Sequence, residues 1–533
     1  MVGSNYDYVI VGAGSAGCVL AARLSEDSGV RVALVEAGSS DDAPEIHLPV
    51  AFPQLFKTKF DWDFATEPEP TLGRRRIYIP RGKVLGGSSS MNAMIYIRGN
   101  PLDFDDWAER GASGWSYRDI LPYFIKAEGN DCGDSEVHGC QGPLTVRDGR
   151  SMHPLVDRFV QAGIEAGYPH NDDFNGASQL GVGRFQVTQR DGARCSAARA
   201  YLHPATQRSN LHVFTDGLVT RLLFDGTRAS GVAVFREGAE QTLRADREII
   251  LSAGTYGSPQ LLMLSGIGPG AHLKTLGITP LLDLPVGENL QDHSVVYPGY
   301  YTNESTLLGA GSNADMALYQ SQRCGPLTSN VAEGGGFMMS RPGLVAPDIQ
   351  LHMVPTMCID EGLTPGFDHA FGLGSCVLKP TSRGRVGLRS ARPDAKPRIF
   401  CNFLATLEDR SAMIAGVRIA LDIVQQPSLA AVTRSIHQAP DSDSEADIWS
   451  HVQQYAGTLY HPTSTCSIGA VVDPALRVLG VEGLRVVDAS IMPSVVRGNT
   501  NATVIAIAEK AADLILGRQT APAMQPNSQG ASL

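Results

Sequence analysis

The chain has 533 residues, a formal net charge of −11 and 9 cysteines. It exceeds the roughly 250–300 residues that one hydrophobic core supports, so we expect at least two domains or one large interwoven unit. A net negative charge without a long basic run argues against a nucleic-acid partner. The cysteines are odd in number and form no C-x-x-C pair, so the sequence indicates neither a disulfide framework nor a metal site.

The start of the chain does not resemble an export signal, because a strand-like segment at Tyr6 follows Met1 without a basic region or a long apolar stretch. We therefore expect a cytoplasmic protein. No window of about 18 uninterrupted apolar residues predicts a membrane span, and peripheral attachment to a membrane stays open. The polar residues 519–533 are typical of a loose tail. The sequence does not indicate an oligomeric state.

The first elements predict a βαβ unit. Residues 6–11 form a short β-branched run, residues 16–24 have the apolar spacing of a helix, and Val32–Val35 is a second buried strand. Strand-like runs at 222–224, 232–235 and 249–251, separated by turn signals, predict a β-meander that returns to a buried strand.

The two ends of the chain are predicted to be parts of one domain. A helix is predicted at 258–264, and a strand at 484–487 precedes a helix at 502–516. The middle, about 294–457, mixes strands with helices such as 409–424 and carries no nucleotide signature. We assign one discontinuous domain to residues 1–43, 78–154, 205–293 and 458–518. A second, substrate-facing domain receives residues 44–77, 155–204 and 294–457.

A glycine motif lies between the first strand and the first helix, and its predicted site residues are Gly12, Gly14, Ser15, Ala16 and Gly17. The G-x-G-x-x-G pattern in this position is typical of a dinucleotide site. Gly12 permits the tight turn, Gly14 lets the backbone approach a pyrophosphate, and Gly17 lets helix and strand pack closely. Glu36 ends the next strand and is expected to bind the adenosine ribose. Its charge disfavours NADP, while FAD and NAD both stay open.

Three further segments resemble the signatures of the glucose-methanol-choline (GMC) family of FAD-dependent oxidoreductases. Residues 81–93 (RGKVLGGSSSMNA) are similar to the first signature and residues 254–268 (GTYGSPQLLMLSGIG) to the second. Residues 460–466 (YHPTSTC), 488–493 (DASIMP) and 498–502 (GNTNA) complete the pattern. The likeness spans nearly the whole chain. It is nearest the choline-dehydrogenase-like branch, which includes sorbose-type, alcohol and polyethylene glycol dehydrogenases.

The resemblance implies an α/β fold, with a Rossmann-type FAD-binding domain and an interwoven α+β substrate-binding domain whose antiparallel sheet is backed by helices. It implies non-covalent FAD, because Met91 stands where some relatives attach the flavin through a histidine. Asp488 is also open to a second interpretation, as a cap of the turn that follows it. The further FAD contacts that the resemblance implies are Trp62, Val84, Gly87, Ser88, Asn92, Ala93, Met94, Ile95, Val219, Ala253, Gly254, Asp488, Ala489, Asn501 and Thr503.

The resemblance also implies a catalytic pair, His461 and Asn499. A neutral imidazole at the substrate hydroxyl acts as a general base, which typically contributes about 10²–10⁴-fold in rate. The Asn499 amide is expected to donate to the developing alkoxide and to orient the substrate. An alternative for Asn499 is the N-cap of the helix predicted at 502–516.

The expected function is oxidation of a primary or secondary alcohol, in which His461 takes the hydroxyl proton and the flavin N5 takes a hydride. Electrons then pass to a quinone or another acceptor. Two alternatives stay open: an oxidase that reduces O₂ to H₂O₂, and a flavin-containing lyase on the same scaffold. The sequence does not say which small-molecule alcohol is the substrate.

Overall fold

The structure is a computed structural model, and it describes residues 4–518. The loose tail predicted at 519–533 lies outside the described residues. Two large β-sheets dominate the described part, and helices pack on both. Within residues 4–518, every helix is either too short or too polar to cross a lipid bilayer.

The first sheet is built around the N-terminal strand. Its 7 strands are Leu211–Phe214, Val32–Val35, Ser4–Val11, Ala239–Leu251, Arg228–Arg236, Leu218–Asp225 and Leu484–Val486. The first four run parallel to one another, as in a Rossmann-type unit. Ala239–Leu251 continues into the predicted meander through antiparallel pairing, and its end pairs in parallel with Leu484–Val486.

The two ends of the chain meet on this sheet. The first helix, Ser15–Leu24, packs against the last helix, Asn501–Leu516. Both helices are almost wholly buried, since their small and β-branched residues join the core of the first sheet. An ion pair of 2.7 Å between Arg23 and the buried Glu509 links the two helices. The N-termini of these helices thereby come together.

The second sheet is antiparallel and belongs to the middle of the chain. It has 8 strands, namely Thr433–Gln438, Gly299–Thr302, Ala370–Val377, Ile349–Val354, Gly334–Met338, Gly181–Arg184, Ser294–Val296 and Gly457–Thr458. The helices Pro154–Glu165 and Leu407–Gln425 cover it, and their apolar faces form a second core with its strands. The α/β class and the helix-backed antiparallel sheet predicted from the sequence are confirmed.

Smaller elements complete the fold. The other strands are Phe64–Ala65, Tyr78–Ile79, Glu128–Asn130, Leu144–Asp148, Gln186–Val187, Gln189–Arg190, Ala193–Arg194, Arg385–Gly387 and Arg398–Phe400. The other α-helices are Pro44–His47, Pro101–Glu109, Tyr117–Ala127, His203–Ala205, Gly254–Leu264, Gly270–Thr275, Asn313–Gln322, Pro427–Ala430 and Glu445–Tyr455. Short 3₁₀ turns occupy Pro49–Leu55, Gly87–Ser90, Pro326–Thr328, Asp360–Gly362 and Ala489–Ile491, and a π-helical turn occupies Ala198–Leu202.

Several observed elements are longer than the predicted ones. The meander strands predicted at 222–224 and 232–235 extend to Leu218–Asp225 and Arg228–Arg236. Hairpin strands continue through polar residues on their solvent side, where apolar patterning gives no signal. Several buried residues between Cys195 and Leu202 join the core of the first sheet. The predicted domain boundaries stay predictions.

Candidate active site

A cavity of about 1480 Å³ lies between the two sheets. Its walls include the glycine motif at one end and His461 at the other. Typical small-molecule sites measure roughly 300–1,000 Å³, so the cavity has room for a large cofactor and a substrate together. Most of the residues predicted from the sequence line it: Gly12, Gly14, Ser15, Ala16, Glu36, Trp62, Gly87, Ser88, Asn92, Ala93, Met94, Ile95, Val219, Ala253, Gly254, His461, Asp488, Ala489, Asn499 and Asn501.

Three predicted residues lie behind the cavity wall. A Cβ on Gly17 would lie 1.9 Å from the carbonyl oxygen of Gly12, so this glycine serves the close helix packing expected of it. Val84 is buried in a small apolar cluster with Ile46 and does not line the cavity. The hydroxyl of Thr503 donates to a backbone carbonyl at 3.0 Å. The contacts of Val84 and Thr503 with FAD stay predictions.

The glycine end has the shape of a phosphate cradle. Gly12 has a φ of +98°, and a Cβ there would lie 2.5 Å from the carbonyl oxygen of Ser252. A Cβ on Gly87 would lie 2.7 Å from the Cα of Gly14, so two glycine loops meet backbone to backbone. The helix Ser15–Leu24 has no side-chain cap, which leaves its first N–H groups for an anion. Ser252 Oγ, which has no partner among the described residues, adds an unused polar group.

Glu36 holds two backbone segments at this end. Its carboxylate accepts from the N–H groups of Ala13 at 2.9 Å and Gly38 at 2.8 Å. Burial raises the pKa of Glu36 to about 7. A carboxylate has further lone pairs, and the side chain lines the cavity. Its position therefore fits a ribose whose hydroxyls donate to it.

Asp488 caps the turn that follows it and also lines the cavity, and its contact with FAD stays a prediction. It accepts from the N–H of Ser490 at 2.8 Å and so caps the turn Ala489–Ile491. It also accepts from the N–H of Gly254 at 2.9 Å and from the hydroxyl of Ser258 at 2.5 Å. Burial raises the pKa of Asp488. It thus fixes the start of the helix Gly254–Leu264 beside the cavity.

A buried cation supports the loop that contains Asn92. Arg194 donates to the carbonyl oxygens of Ile46 at 2.7 Å and Ser89 at 3.2 Å, and to the side-chain oxygen of Asn92 at 2.8 Å. These acceptors are neutral, and Nη2 of Arg194 has no partner among the described residues. Burial lowers its pKa to about 9. Arg194 thus ties the segment of Ile46 to the loop of Ser89 and Asn92.

At the other end, His461 and Asn499 face each other. The Nδ2 atom of Asn499 lies 3.3 Å from Nε2 of His461, and Oδ1 of Asn499 accepts from Gln350 at 3.1 Å. The last helix begins at Asn501, its N-cap is Thr500, and no side chain caps it. The alternative of Asn499 as the N-cap is therefore wrong, because its amide is used by His461 and Gln350 instead.

A second histidine sets the tautomer of His461. His293 Nε2 lies 3.0 Å from the carbonyl oxygen of Leu378, so this nitrogen carries a proton and donates it. Burial lowers the pKa of His293 to about 4, so the ring is neutral and its Nδ1 accepts. Nδ1 of His461, 2.9 Å away, must then be the donor. The lone pair of His461 therefore lies on Nε2, which is the atom that faces Asn499.

The electrostatic surroundings keep His461 neutral. The ring is buried, and desolvation holds its pKa well below the ordinary value of 6.5. The neighbouring rings of His293 and His352 and the guanidinium of Arg81 lower the pKa further. An imidazole in this state offers a lone pair over the whole physiological pH range.

A short, constrained turn positions the His461 side chain. The carboxylate of Asp292 accepts from the backbone N–H of His461 at 2.8 Å and from the hydroxyl of Thr458 at 2.6 Å. That hydroxyl in turn accepts from the N–H of Tyr460 at 2.7 Å. Tyr460 has a φ of +69°, a left-handed conformation that non-glycine residues adopt at a cost. The hydrogen bonds of Asp292 and Thr458 hold the turn in that conformation.

His352 is a third polar group at this end, and the sequence did not single it out. It lines the cavity and is buried, and its Nε2 has no partner among the described residues. Burial lowers its pKa to about 3. Gln350 precedes it on the same face of the strand Ile349–Val354, because side chains alternate along a strand. The signal available in the sequence was the polar pair Gln350 and His352 within an otherwise apolar strand.

The comparison with known proteins agrees with this geometry. Residues 6–295 match the N-terminal profile described as GMC oxidoreductase, and residues 380–508 match the C-terminal one. The chain belongs to the GMC oxidoreductase family. It is therefore an FAD-dependent oxidoreductase of CH–OH groups, which confirms the predicted enzyme class and FAD as the cofactor.

Two curated relatives and one solved structure show the range of this family. The chain is 45% identical over 527 residues to alcohol dehydrogenase [acceptor] of Pseudomonas putida, and the alignment covers 96% of each chain. It is 44% identical over 534 residues to the mitochondrial choline dehydrogenase of Homo sapiens, with 96% of this chain and 90% of the relative covered. The crystal structure of pyridoxine 4-oxidase from Mesorbium loti superposes with a TM-score of 0.87 at 33% identity, over 95% and 98% of the two chains.

Proposed function

We propose that this GMC oxidoreductase oxidises a primary or secondary alcohol to an aldehyde or ketone, with His461 as the general base. The observation that carries the proposal is the convergence of two hydrogen-bond chains on the two ring nitrogens of His461. One chain runs from the carbonyl of Leu378 through His293, and the other runs from Gln350 through Asn499. Nε2 of His461 is thereby fixed as an acceptor at the cavity wall, and a substrate hydroxyl that takes the place of the Asn499 amide donates its proton there.

The residues around Nε2 divide the remaining work. When bound at the glycine end, FAD supplies the acceptor for the hydride of the substrate. Asn499 donates to the substrate oxygen as negative charge develops there, and Gln350 holds the Asn499 amide in place. His352 adds a polar contact for the same oxygen, since its Nε2 faces no other described group. The proton stays on Nε2 of His461 when the aldehyde or ketone leaves.

We propose that FAD is held without a covalent bond. Met91 lines the cavity at the position where a histidine attaches the flavin in some relatives, and a thioether does not form that bond. The contacts available to the cofactor are the glycine loops, Glu36 and the open N-terminus of the first helix. Precipitating the protein in acid is expected to release all of the yellow flavin into solution. Flavin that remains in the pellet contradicts this part of the proposal.

We propose a quinone or another carrier as the electron acceptor, with O₂ as the alternative. Support for a carrier comes from two relatives at 44–45% identity that are named dehydrogenases. Support for O₂ comes from the fold neighbour named pyridoxine 4-oxidase. We also propose a cytoplasmic location, supported by cysteines that are all free thiols within residues 4–518.

The experiment is an anaerobic absorbance titration of the FAD-loaded protein with primary, secondary, aromatic and sugar alcohols, followed by admission of air. We expect the visible band of the oxidised flavin to bleach in the dark with at least one alcohol. Slow return of the band in air, and fast return with a quinone, indicates a dehydrogenase, while fast return in air indicates an oxidase. Full FAD content without bleaching by any alcohol contradicts the proposed function and favours lyase chemistry.

A further inference from the structure

The part of the cavity beyond the catalytic histidines has apolar walls. On the second sheet, Val354 follows His352 on the same face, and both line the cavity. Val295 and Leu459 lie two residues from His293 and His461 and also line it. These apolar side chains belong to a small cluster that includes Phe185, whose ring centroid is 5.7 Å from that of His352. Beyond the polar groups at the substrate oxygen, the cavity wall is therefore apolar.

A second apolar wall continues from the catalytic turn towards the surface. The ring of Phe56 lies 6.4 Å from that of Tyr460, the residue before His461, and the ring of Phe52 lies 6.0 Å from that of Phe56. Both phenylalanines line the cavity, as does Met357 on the opposite side. A substrate that reaches Nε2 of His461 therefore passes along apolar side chains.

Among the side chains that the structure describes, the carboxylates of the cavity wall are all engaged elsewhere. Glu36 and Asp488 serve the cofactor end, as described above. Asp61 accepts from the hydroxyl of Tyr78 and from the N–H groups of Lys57 at 2.9 Å and Arg81 at 2.9 Å.

The two remaining acids of the wall, Asp360 and Asp394, are exposed. The first accepts from the hydroxyl of Thr364 at 2.7 Å, and the second pairs with Arg392 at 2.6 Å. The described residues that line the cavity thus place no free carboxylate beside His461.

Among the described side chains of the cavity wall, the charged one beside His461 is positive. Arg81 lines the cavity and donates to the carbonyl oxygen of Tyr460 at 2.8 Å. The carboxylate of Asp292 lies behind His461 and is engaged by the His461 backbone N–H and the Thr458 hydroxyl, so a substrate cation at this end would meet the guanidinium and apolar side chains. A quaternary ammonium group is usually recognised by aromatic faces together with negative charge.

We infer that the substrate of this enzyme is an uncharged alcohol with an apolar carbon skeleton, and that the site rejects choline-like cations. The inference rests on the proposed function and narrows its substrate class. It separates this chain from its choline dehydrogenase relative in spite of 44% identity. The specificity arises from the walls beyond the histidines, since the catalytic pair contacts only the reacting oxygen.

The test uses two alcohols of the same shape. Choline and 3,3-dimethylbutan-1-ol differ by a charged nitrogen in place of a neutral carbon, so their comparison isolates the charge. We expect kcat/KM for flavin reduction to be on the order of 100-fold higher for the neutral alcohol, because a buried unpaired cation is strongly disfavoured. A choline value equal to or above that of its carbon analogue overturns the inference and leaves the proposed function intact. No reduction by either alcohol, or by the wider panel, overturns both.

A matched pair of variants shows whether the wall is responsible. Val354→Glu places a carboxylate two residues from His352, and Val354→Gln places a neutral group of the same size there. We expect the ratio of choline to neutral-alcohol kcat/KM to rise at least about tenfold in Val354→Glu relative to Val354→Gln. FAD content, measured by absorbance, controls for folding in both. Equal ratios in two FAD-loaded variants contradict the assignment of specificity to this wall.

Discussion

The two ends of the cavity are built in different ways. The cofactor end consists largely of backbone: two glycine loops in contact, an uncapped helix N-terminus, and Glu36 holding neighbouring N–H groups. The catalytic end consists of buried side chains, where His293, His461 and Asn499 fix one another through hydrogen bonds. Changes at the first end should therefore remove the cofactor, whereas changes at the second should slow the reaction and leave the cofactor bound.

The largest effect is expected for Gly14→Val. A Cβ at Gly14 meets no described atom closer than 3.9 Å, so the apoprotein has room for it, and the bulk projects where a pyrophosphate would lie. We expect FAD binding to weaken by well over tenfold, about 1.4 kcal/mol per factor of ten, and alcohol oxidation to be lost with it. Flavin absorbance and a thermal melt measure the two effects. Full FAD content in the purified variant would show that the phosphate cradle is assigned wrongly.

Asn499→Leu tests the catalytic end with a side chain of similar size. The variant removes the donor at the substrate oxygen and leaves Gln350 without its acceptor. Loss of one donor to a developing oxyanion typically costs about 10²–10³ in rate. Stopped-flow flavin reduction is expected to slow by that factor at unchanged FAD content. A rate near that of the wild type removes Asn499 from the mechanism.

The variants His293→Phe and His293→Gln separate the effect of the His461 tautomer from the effect of side-chain packing. Phenylalanine fills the space but cannot accept from Nδ1 of His461, whereas a glutamine amide donates to Leu378 and accepts from His461 in the manner of the native ring. We expect flavin reduction to slow by about 10–100-fold in His293→Phe, with much of the loss restored in His293→Gln. Equal rates in both variants would mean that the ring only fills space.

The smallest effect is on stability at acidic pH. The pKa of His293 is about 4 in the folded protein, against an ordinary value of 6.5. Between these values the unfolded chain binds more protons, so this contribution to stability is full above pH 6.5 and is lost as the pH falls towards 4. At pH 5 the loss is on the order of 2 kcal/mol. Thermal unfolding at pH 5 and 7.5 should show a smaller acid loss in His293→Gln, and an equal loss contradicts the neutral, buried state.

The contrast between the two ends explains what the sequence predicts. The cofactor end contains a local pattern whose spacing is set by a strand, a turn and a helix. Its residues, Gly12, Gly14, Gly17 and Glu36, can therefore be recognised from the sequence alone. His293 and His352 approach His461 only through the pairing of strands far apart in sequence. Neither belonged to the predicted site.

Some site residues are named only by the resemblance, and others also have a physical reason in the motif. The resemblance predicts Val84 and Thr503 as FAD contacts; the Val84 side chain lies in an apolar cluster and the Thr503 hydroxyl donates to the carbonyl oxygen of Arg98, so their contacts with FAD stay predictions. Sequence position alone does not say which side of a wall a residue faces. By contrast, the close packing expected of Gly17 follows from its place in the motif, and it agrees with the 1.9 Å that would separate a Cβ at this position from the carbonyl oxygen of Gly12.

The central claim is that Nε2 of His461 takes the proton of the alcohol. Stopped-flow reduction of the FAD-loaded His461→Ala variant, beside the wild type and with the best alcohol of the panel, tests it most directly. The account predicts a rate lower by about 10²–10⁴-fold at full FAD content. A His461→Ala variant that keeps its FAD and is reduced at the wild-type rate would contradict the account.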